Sequence, residues 1–184
     1  TNTIAMIGAV TSLIARLAAS LADTRSSRMW RSTFSTTTIA SSTTIPIAMT
    51  AMHGVGGALL QGLLAEAGHR AVHVVAEQQE PHPDFPTVGF PNPEEPGATD
   101  LLIETMRRHS AVVGLALDPD ADRVAVCALD GGVPRQLTGD EVGSLLGEWL
   151  LAEVTSGPDR LVATTVVSSS RLERIAARHG AHFA

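Results

Sequence analysis

The sequence predicts an α/β protein: a three-layer α/β/α sandwich domain with a mostly parallel sheet, followed by an incomplete second α/β domain. Three observations carry this reading. From Ile45 onward, apolar strand-like runs alternate with amphipathic helical stretches. A glycine turn, His53-Gly54-Val55-Gly56-Gly57, joins the first such strand to the first such helix. The apolar run Val112 to Leu117 ends in the loop Asp118-Pro119-Asp120-Ala121-Asp122-Arg123, at the carboxyl end of a strand, where open α/β sheets bind ligands.

The elements follow in order. Ile47 to Thr50 reads as a strand, and a helix behind the glycine turn places Leu59, Leu60, Leu63 and Leu64 on its buried face, with Gly68 as its stop. Ala71 to Val75 is a second strand. Glu77 to Gly97 holds six prolines and must be a loop, since proline breaks both helix and central strand. Thr99 caps a helix reaching Arg108, and Val112 to Leu117 is the third strand. Val124 to Ala128 and Val133 to Leu137 flank Asp130-Gly131, a hairpin signal. Thr138 with Glu141 forms a capping box ahead of a helix whose Val142, Leu145, Leu146, Trp149 and Leu150 share one face. Leu161 to Val167 reads as a further strand, Ser168 or Ser169 as the cap of a helix to Arg178, and Gly180 as its stop.

The first 44 residues differ. Ile4 to Leu21 could form an amphipathic helix, but 14 of the 25 residues from Ser20 to Thr44 are Ser or Thr, without helical or strand period. That stretch reads as a linker or as disorder, or as sequence that is not native coding, such as the product of a reading-frame error. The expected divisions are therefore 1–44, 45–131 and 132–184.

Composition narrows the function classes. Hydrophobic residues make up 44%, enough for a core. The net charge of −6 and the lack of a basic stripe argue against a nucleic-acid partner. The single Cys127 rules out an intrachain disulfide and suits a cytoplasmic setting. No apolar stretch is long enough to span a membrane, and no basic segment precedes the apolar start as in a signal peptide. Nothing specifies an oligomer, although the apolar edges of an incomplete domain would promote association.

The acidic loop carries the chemistry. Asp118, Asp120 and Asp122 are like charges at alternate positions, with no packing use, and something positive must sit between them. A hard divalent cation takes carboxylate oxygens at about 2.0–2.6 Å, and Mg²⁺ is the natural choice where a phosphate supplies a further ligand. Arg123 offers a planar fork suited to a phosphate oxygen. The plainer alternative is a solvated turn, since Asp and Pro are common turn residues. An EF-hand loop fails, because its sixth and twelfth positions fall on Arg123 and Leu129. A haloacid-dehalogenase-type phosphatase would make Asp118 a nucleophile and Asp120 an acid/base, but prefers Thr or Val where Asp122 stands.

Other motifs carry less. The glycines after His53 are spaced wrongly for a dinucleotide fingerprint, and His53 reads as a locally bonded turn residue. The remaining histidines (His69, His73, His82, His109, His179, His182) show no spacing that converges on zinc. Glu94 and Glu95 read as a solvated loop tip.

The loop resembles the metal-binding motif of the α-D-phosphohexomutases (phosphomannomutase/phosphoglucomutase), in which Asp-Gly-Asp or Asp-Pro-Asp begins a three-Asp loop closed by Arg. Met49 to Gly57 resembles the opening of that family's domain 2. Phe85-Pro86-Thr87-Val88 and Phe90 to Gly97 resemble its proline-rich loop, and Leu137 to Gly143 the entry to domain 3. The resemblance runs from Ile45 to Ala184 and implies domain 2 at 45–131 and part of domain 3 at 132–184. It further implies Mg²⁺ held by Asp118, Asp120 and Asp122, with Arg123 facing a seryl phosphate. The implied reaction interconverts hexose 1- and 6-phosphates of glucose or mannose through a phosphoserine and a bisphosphate intermediate. No Thr-Ala-Ser-His-Asn-Pro-like phosphoserine segment occurs in these 184 residues, and Ser168-Ser169-Ser170 reads as a helix cap. The expectation is thus a mutase fragment inactive alone, or, from another class, a non-catalytic metal-binding remnant.

Overall fold

The computed structural model describes residues 45–154, 157 and 159–184. The expected helix from Ile4 to Leu21 and the Ser/Thr-rich stretch lie outside the described residues. The described residues fall into two compact units, 45–136 and 137–184.

The first unit is built on a five-stranded sheet. Its strands are β1 (Ile47–Thr50), β2 (Val72–Val74), β3 (Val113–Leu117), β4 (Val124–Asp130) and β5 (Val133–Gln136), in the order β2-β1-β3-β4-β5. β1 pairs with β2 and β3 in parallel, whereas β3–β4 and β4–β5 are antiparallel. The parallel half follows from the β-α-β-α-β sequence, because each return to a parallel neighbour needs a helical crossover. Those crossovers are α1 (Gly57–Glu66) and α2 (Asp100–Arg108). β1→β2 steps one way across the sheet and β2→β3 steps the other way. With both crossovers right-handed, the helices cover opposite faces, giving three layers.

Burial agrees. All four residues of β1 and all five of β3 are buried, as strands covered on both faces must be. Ala48, Ala116, Ala125 and Cys127 form one face with Leu102 and Met106 of α2. Ile47, Met49, Val113, Leu115 and Val126 alternate with them and are also buried. In α1 only Leu60 and Leu64, one turn apart, are buried leucines, and Leu59, expected inside, is 57% exposed because it points off that stripe.

The antiparallel half comes from a tight hairpin. Gly131 and Gly132 have φ of +57° and +86°, as a two-residue type I′ turn requires. Pro134 is accommodated because β5 is an edge strand. Thr99 precedes α2 as expected, but its hydroxyl donates to Gln136 Oε1 at 3.0 Å instead of capping the helix.

In the second unit, α3 (Gly139–Trp149) starts with the expected capping box, in which Thr138 Oγ1 accepts from the Glu141 backbone N–H at 3.2 Å and Glu141 Oε2 from that of Thr138 at 2.9 Å. α3 continues into a π-helical segment, Leu150–Val154. β6 (Leu161–Val162), α4 (Arg171–Arg178) and β7 (His182–Phe183) follow, and β6 pairs with β7 in parallel. The expected strand to Val167 is cut short: Ser168 N–H donates to Thr165 O at 3.0 Å, and that turn leaves Val166 and Val167 outside the ladder, almost fully exposed. The cap of α4 is Ser170, without a side-chain bond, whereas Ser169 N–H donates to the Asp140 carboxylate at 3.0 Å. No helix among the described residues is long and apolar enough to cross a membrane.

Candidate metal centre

β3 delivers Asp118 at the carboxyl end of the sheet, where Pro119 turns the chain. Ala121 N–H donates to Asp118 O at 3.0 Å, closing a turn, and Ala121 takes a left-handed φ of +60°. Asp118 N–H then donates to Arg123 O at 3.3 Å, so the six-residue loop is closed at its base.

The turn gathers the three carboxylates. One oxygen from each of Asp118, Asp120 and Asp122 lies within 4.8 Å of the other two. An ion bound at about 2.0–2.6 Å separates its ligands by up to roughly 4–5 Å, so the trio is within reach of a single hard cation. The donor set is all oxygen and carries three formal charges, which suits Mg²⁺ or Ca²⁺ over softer metals.

The three differ in setting. The Asp118 side chain is fully buried, and Asp122 is 69% exposed. Asp118 Oδ1 accepts the Arg123 backbone N–H at 3.0 Å and Oδ2 accepts Arg123 Nε at 2.8 Å. Arg123 Nε also lies 3.4 Å from Asp122 Oδ1. Burial pushes the Asp118 carboxyl up, but the Arg123 backbone bond, the contact with Asp122 and the Arg123 side chain together hold it below the usual carboxylate range. Asp122 is pushed up, first by its contact with Asp118 and then by the Asp120 charge. The ionised form of Asp122 is thus disfavoured by its acidic neighbours, a repulsion that a cation beside the three carboxylates would relieve. Arg123, expected to face a phosphate, is turned here toward its own carboxylates.

Two elements flank the loop. Val55 N–H, in the glycine turn, donates to Pro119 O at 2.8 Å. Behind that turn, the buried Gln78 accepts Thr50 Oγ1 at 2.5 Å and donates to Thr87 Oγ1 at 2.9 Å. His53 Nε2 meets the same Thr87 hydroxyl at 2.9 Å, which makes His53 a local fastening of the proline-rich loop. Gln78 and Thr87 were not singled out from sequence, because neither belongs to a periodic pattern. Glu94 and Glu95 are exposed.

The family model for phosphoglucomutase/phosphomannomutase, alpha/beta/alpha domain II, matches residues 27–131, a span that includes the whole acidic loop. The chain belongs to this family. It is 47% identical to a "Probable phosphomannomutase" of Haemophilus influenzae over 131 residues, covering 71% of this chain and 27% of that protein. It is 37% identical to a human phosphopentomutase over 150 residues, covering 77% of this chain and 24% of that one. Among solved structures, a phosphoglucomutase/phosphomannomutase family protein from Burkholderia thailandensis superposes with a TM-score of 0.63 at 22% identity, over 76% of this chain and 28% of that one, which shows the shared fold. The chain spans about a quarter of the length of these curated relatives. The phosphohexomutase-family match leaves the dehalogenase-type alternative without support.

Proposed function

We propose that this chain supplies the Mg²⁺-binding loop of a phosphosugar mutase that moves a phosphoryl group between the 1- and 6-positions of a hexose phosphate, glucose or mannose in type. The observation that carries the reading is the convergence of Asp118, Asp120 and Asp122 within 4.8 Å, inside the span matched by the family model. Relatives named for phosphomannomutase and for glucose 1,6-bisphosphate synthesis support a hexose substrate that passes through a bisphosphate. A bound Mg²⁺ would neutralise charge on the transferring phosphoryl oxygens.

The chain's own residues divide the work. Asp118, rigid and buried, anchors the ligand set. Asp120 and Asp122, both exposed, would supply the remaining carboxylate oxygens. Arg123 steadies Asp118 through Nε, and the terminal nitrogens of its half-exposed guanidinium would take an oxygen of a phosphate brought to the loop. The phosphoserine and the grip on the substrate's other phosphate come from elsewhere in the complete protein, so the 184-residue chain binds the cation without catalysing turnover.

Calorimetric titration of the purified chain with Mg²⁺ and with Mn²⁺ tests this. Saturable one-site binding, lost in Asp120→Asn, is expected, and absence of binding to the wild-type chain would sink the reading. Mutase activity in this chain alone would overturn the claim that other segments are needed. Cation binding in the complete protein without any mutase turnover would favour the non-catalytic remnant.

A further inference from the structure

We propose that Gly54 is a positioning residue for the three-carboxylate loop: lacking a side chain, it lets the turn after β1 lie directly against Pro119 and so sets the spacing of Asp118, Asp120 and Asp122. The inference rests on the reading of those three residues as a cation site, and deepens it by naming what holds them in register.

The contact is backbone against backbone. A Cβ at Gly54 would lie 2.3 Å from Pro119 Cα, 2.4 Å from its carbonyl oxygen and 2.6 Å from its carbonyl carbon. None of these atoms is the end of a flexible side chain, so no rotamer change can make room. The next residue, Val55, donates its N–H to the Pro119 carbonyl oxygen at 2.8 Å, which locks the two segments together at that approach.

A second glycine repeats the arrangement one step along. A Cβ at Gly56 would lie 2.7 Å from Ala121 Cβ and 2.7 Å from Leu117 Cδ1. Gly54 therefore bears on Pro119 and Gly56 on Ala121. Pro119 and Ala121 are the two spacers between the ligands. Alternate residues of the turn thus press on the two spacers of the loop.

The turn is itself firmly held. Met52 and His53 take consecutive left-handed φ values of +47° and +61°, rare for residues with side chains. Such backbone persists only where the surroundings over-determine it. Here Met52 N–H donates to Thr50 Oγ1 at 3.0 Å, His53 N–H to Gln78 O at 2.9 Å and Gly54 N–H to Ala51 O at 2.7 Å. A strained, pinned turn pressed against the spacers acts as a fixed gauge for the loop.

The test titrates the full 184-residue chain with Mn²⁺, following bound ion by water-proton relaxation, alongside thermal melting in EDTA. Wild-type chain and Gly62→Ala, a helix position with open space around it, are expected to bind equally. Gly54→Ala is expected to melt cooperatively yet bind at least roughly tenfold more weakly, because an added methyl displaces Pro119. Equal binding by Gly54→Ala and wild type would overturn the inference while leaving the cation reading intact. Failure of the wild-type chain to bind Mn²⁺ would remove the cation reading and this inference with it. If Gly54→Ala does not fold, the comparison moves to Gly56→Ala, Ala121→Gly and the double variant. Affinity lost in Gly56→Ala and at least partly recovered in the double variant, relative to Ala121→Gly alone, supports the gauge, and affinity unchanged in Gly56→Ala overturns it.

Discussion

Arg123 holds Asp118 twice, its backbone N–H on Oδ1 at 3.0 Å and its Nε on Oδ2 at 2.8 Å. Burial alone would push the Asp118 carboxyl up, but the Arg123 backbone bond, the contact with Asp122 and the Arg123 side chain together hold it below the ordinary carboxylate range. A carboxyl depressed in the folded state stabilises the protein above its unfolded value, and that contribution is lost as pH falls through the folded value. Metal-free chain should therefore lose stability steeply below about pH 4, the ordinary range for Asp. Asp118→Asn should flatten that slope below the ordinary Asp range, measured by denaturant melts at stepped pH. An unchanged slope would show that Asp118 is not held in this way.

Asp122 is displaced in the opposite sense. Its carboxyl is pushed up by Asp118 and then by Asp120, so its ionised form is disfavoured in the folded chain. The sign reverses: a raised acid favours folding while protonated, and that contribution fades as pH climbs through the folded value. At neutral pH without metal, Asp122→Asn should raise the melting temperature. The same change removes one of three charged ligands, and affinity for Mg²⁺ should fall roughly tenfold or more, since ligand charge count tunes such sites. A gain in stability paired with a loss of binding is the signature of a residue kept for function. Differential scanning calorimetry with EDTA and with Mg²⁺ reads both effects, and a variant less stable in EDTA would refute the account.

What was legible in the sequence follows from how local each signal is. Ile47 to Thr50 and Val113 to Leu117 are buried on both faces, so their apolar runs announce them without any partner. Thr138 and Glu141 cap each other three residues apart, and Gly131 sits where a type I′ turn needs it. The acidic trio stands out because like charges at alternate positions need a reason. Less legible were features decided across the chain. Whether Leu59 or Leu60 faces inward depends on how α1 settles on the sheet. Val166 and Val167 look like strand residues, yet the Thr165–Ser168 turn takes them into solvent. The inward swing of Arg123 and the grip of Gly54 on Pro119 are tertiary, and no spacing rule encodes them.

Cys127 offers a test of the core. It is fully buried on the face packed by α2, and burial pushes its thiol up to about 11 from 9.0. A raised thiol leaves stability intact below its unfolded value and erodes it as pH rises toward the folded one. Between about pH 9 and pH 11 that loss should approach roughly 3 kcal/mol, at about 1.4 kcal/mol for each pH unit. In the native chain at about pH 8 the thiol should resist an aromatic disulfide reagent, and react once the chain is unfolded in guanidinium. Rapid labelling of folded protein would mean that the sheet face around Cys127 opens readily.

Gln78 joins three segments that the sequence keeps apart. Its amide accepts Thr50 Oγ1 at 2.5 Å and donates to Thr87 Oγ1 at 2.9 Å, and its carbonyl accepts His53 N–H at 2.9 Å. Gln78→Ala keeps the backbone bond but takes one partner from the fully buried Thr50 hydroxyl and one from Thr87. Leaving a buried polar group short of a partner costs about 1–3 kcal/mol. The loss should be uneven in space. Core strands β1 and β3 should keep their amide protection, while Val88 N–H, bonded only within the proline-rich loop to Phe85 O, should exchange faster as the loop detaches from His53. If hydrogen exchange shows Val88 unchanged in Gln78→Ala, the loop is anchored by other contacts and the Thr50–Gln78–Thr87–His53 chain is incidental to its placement.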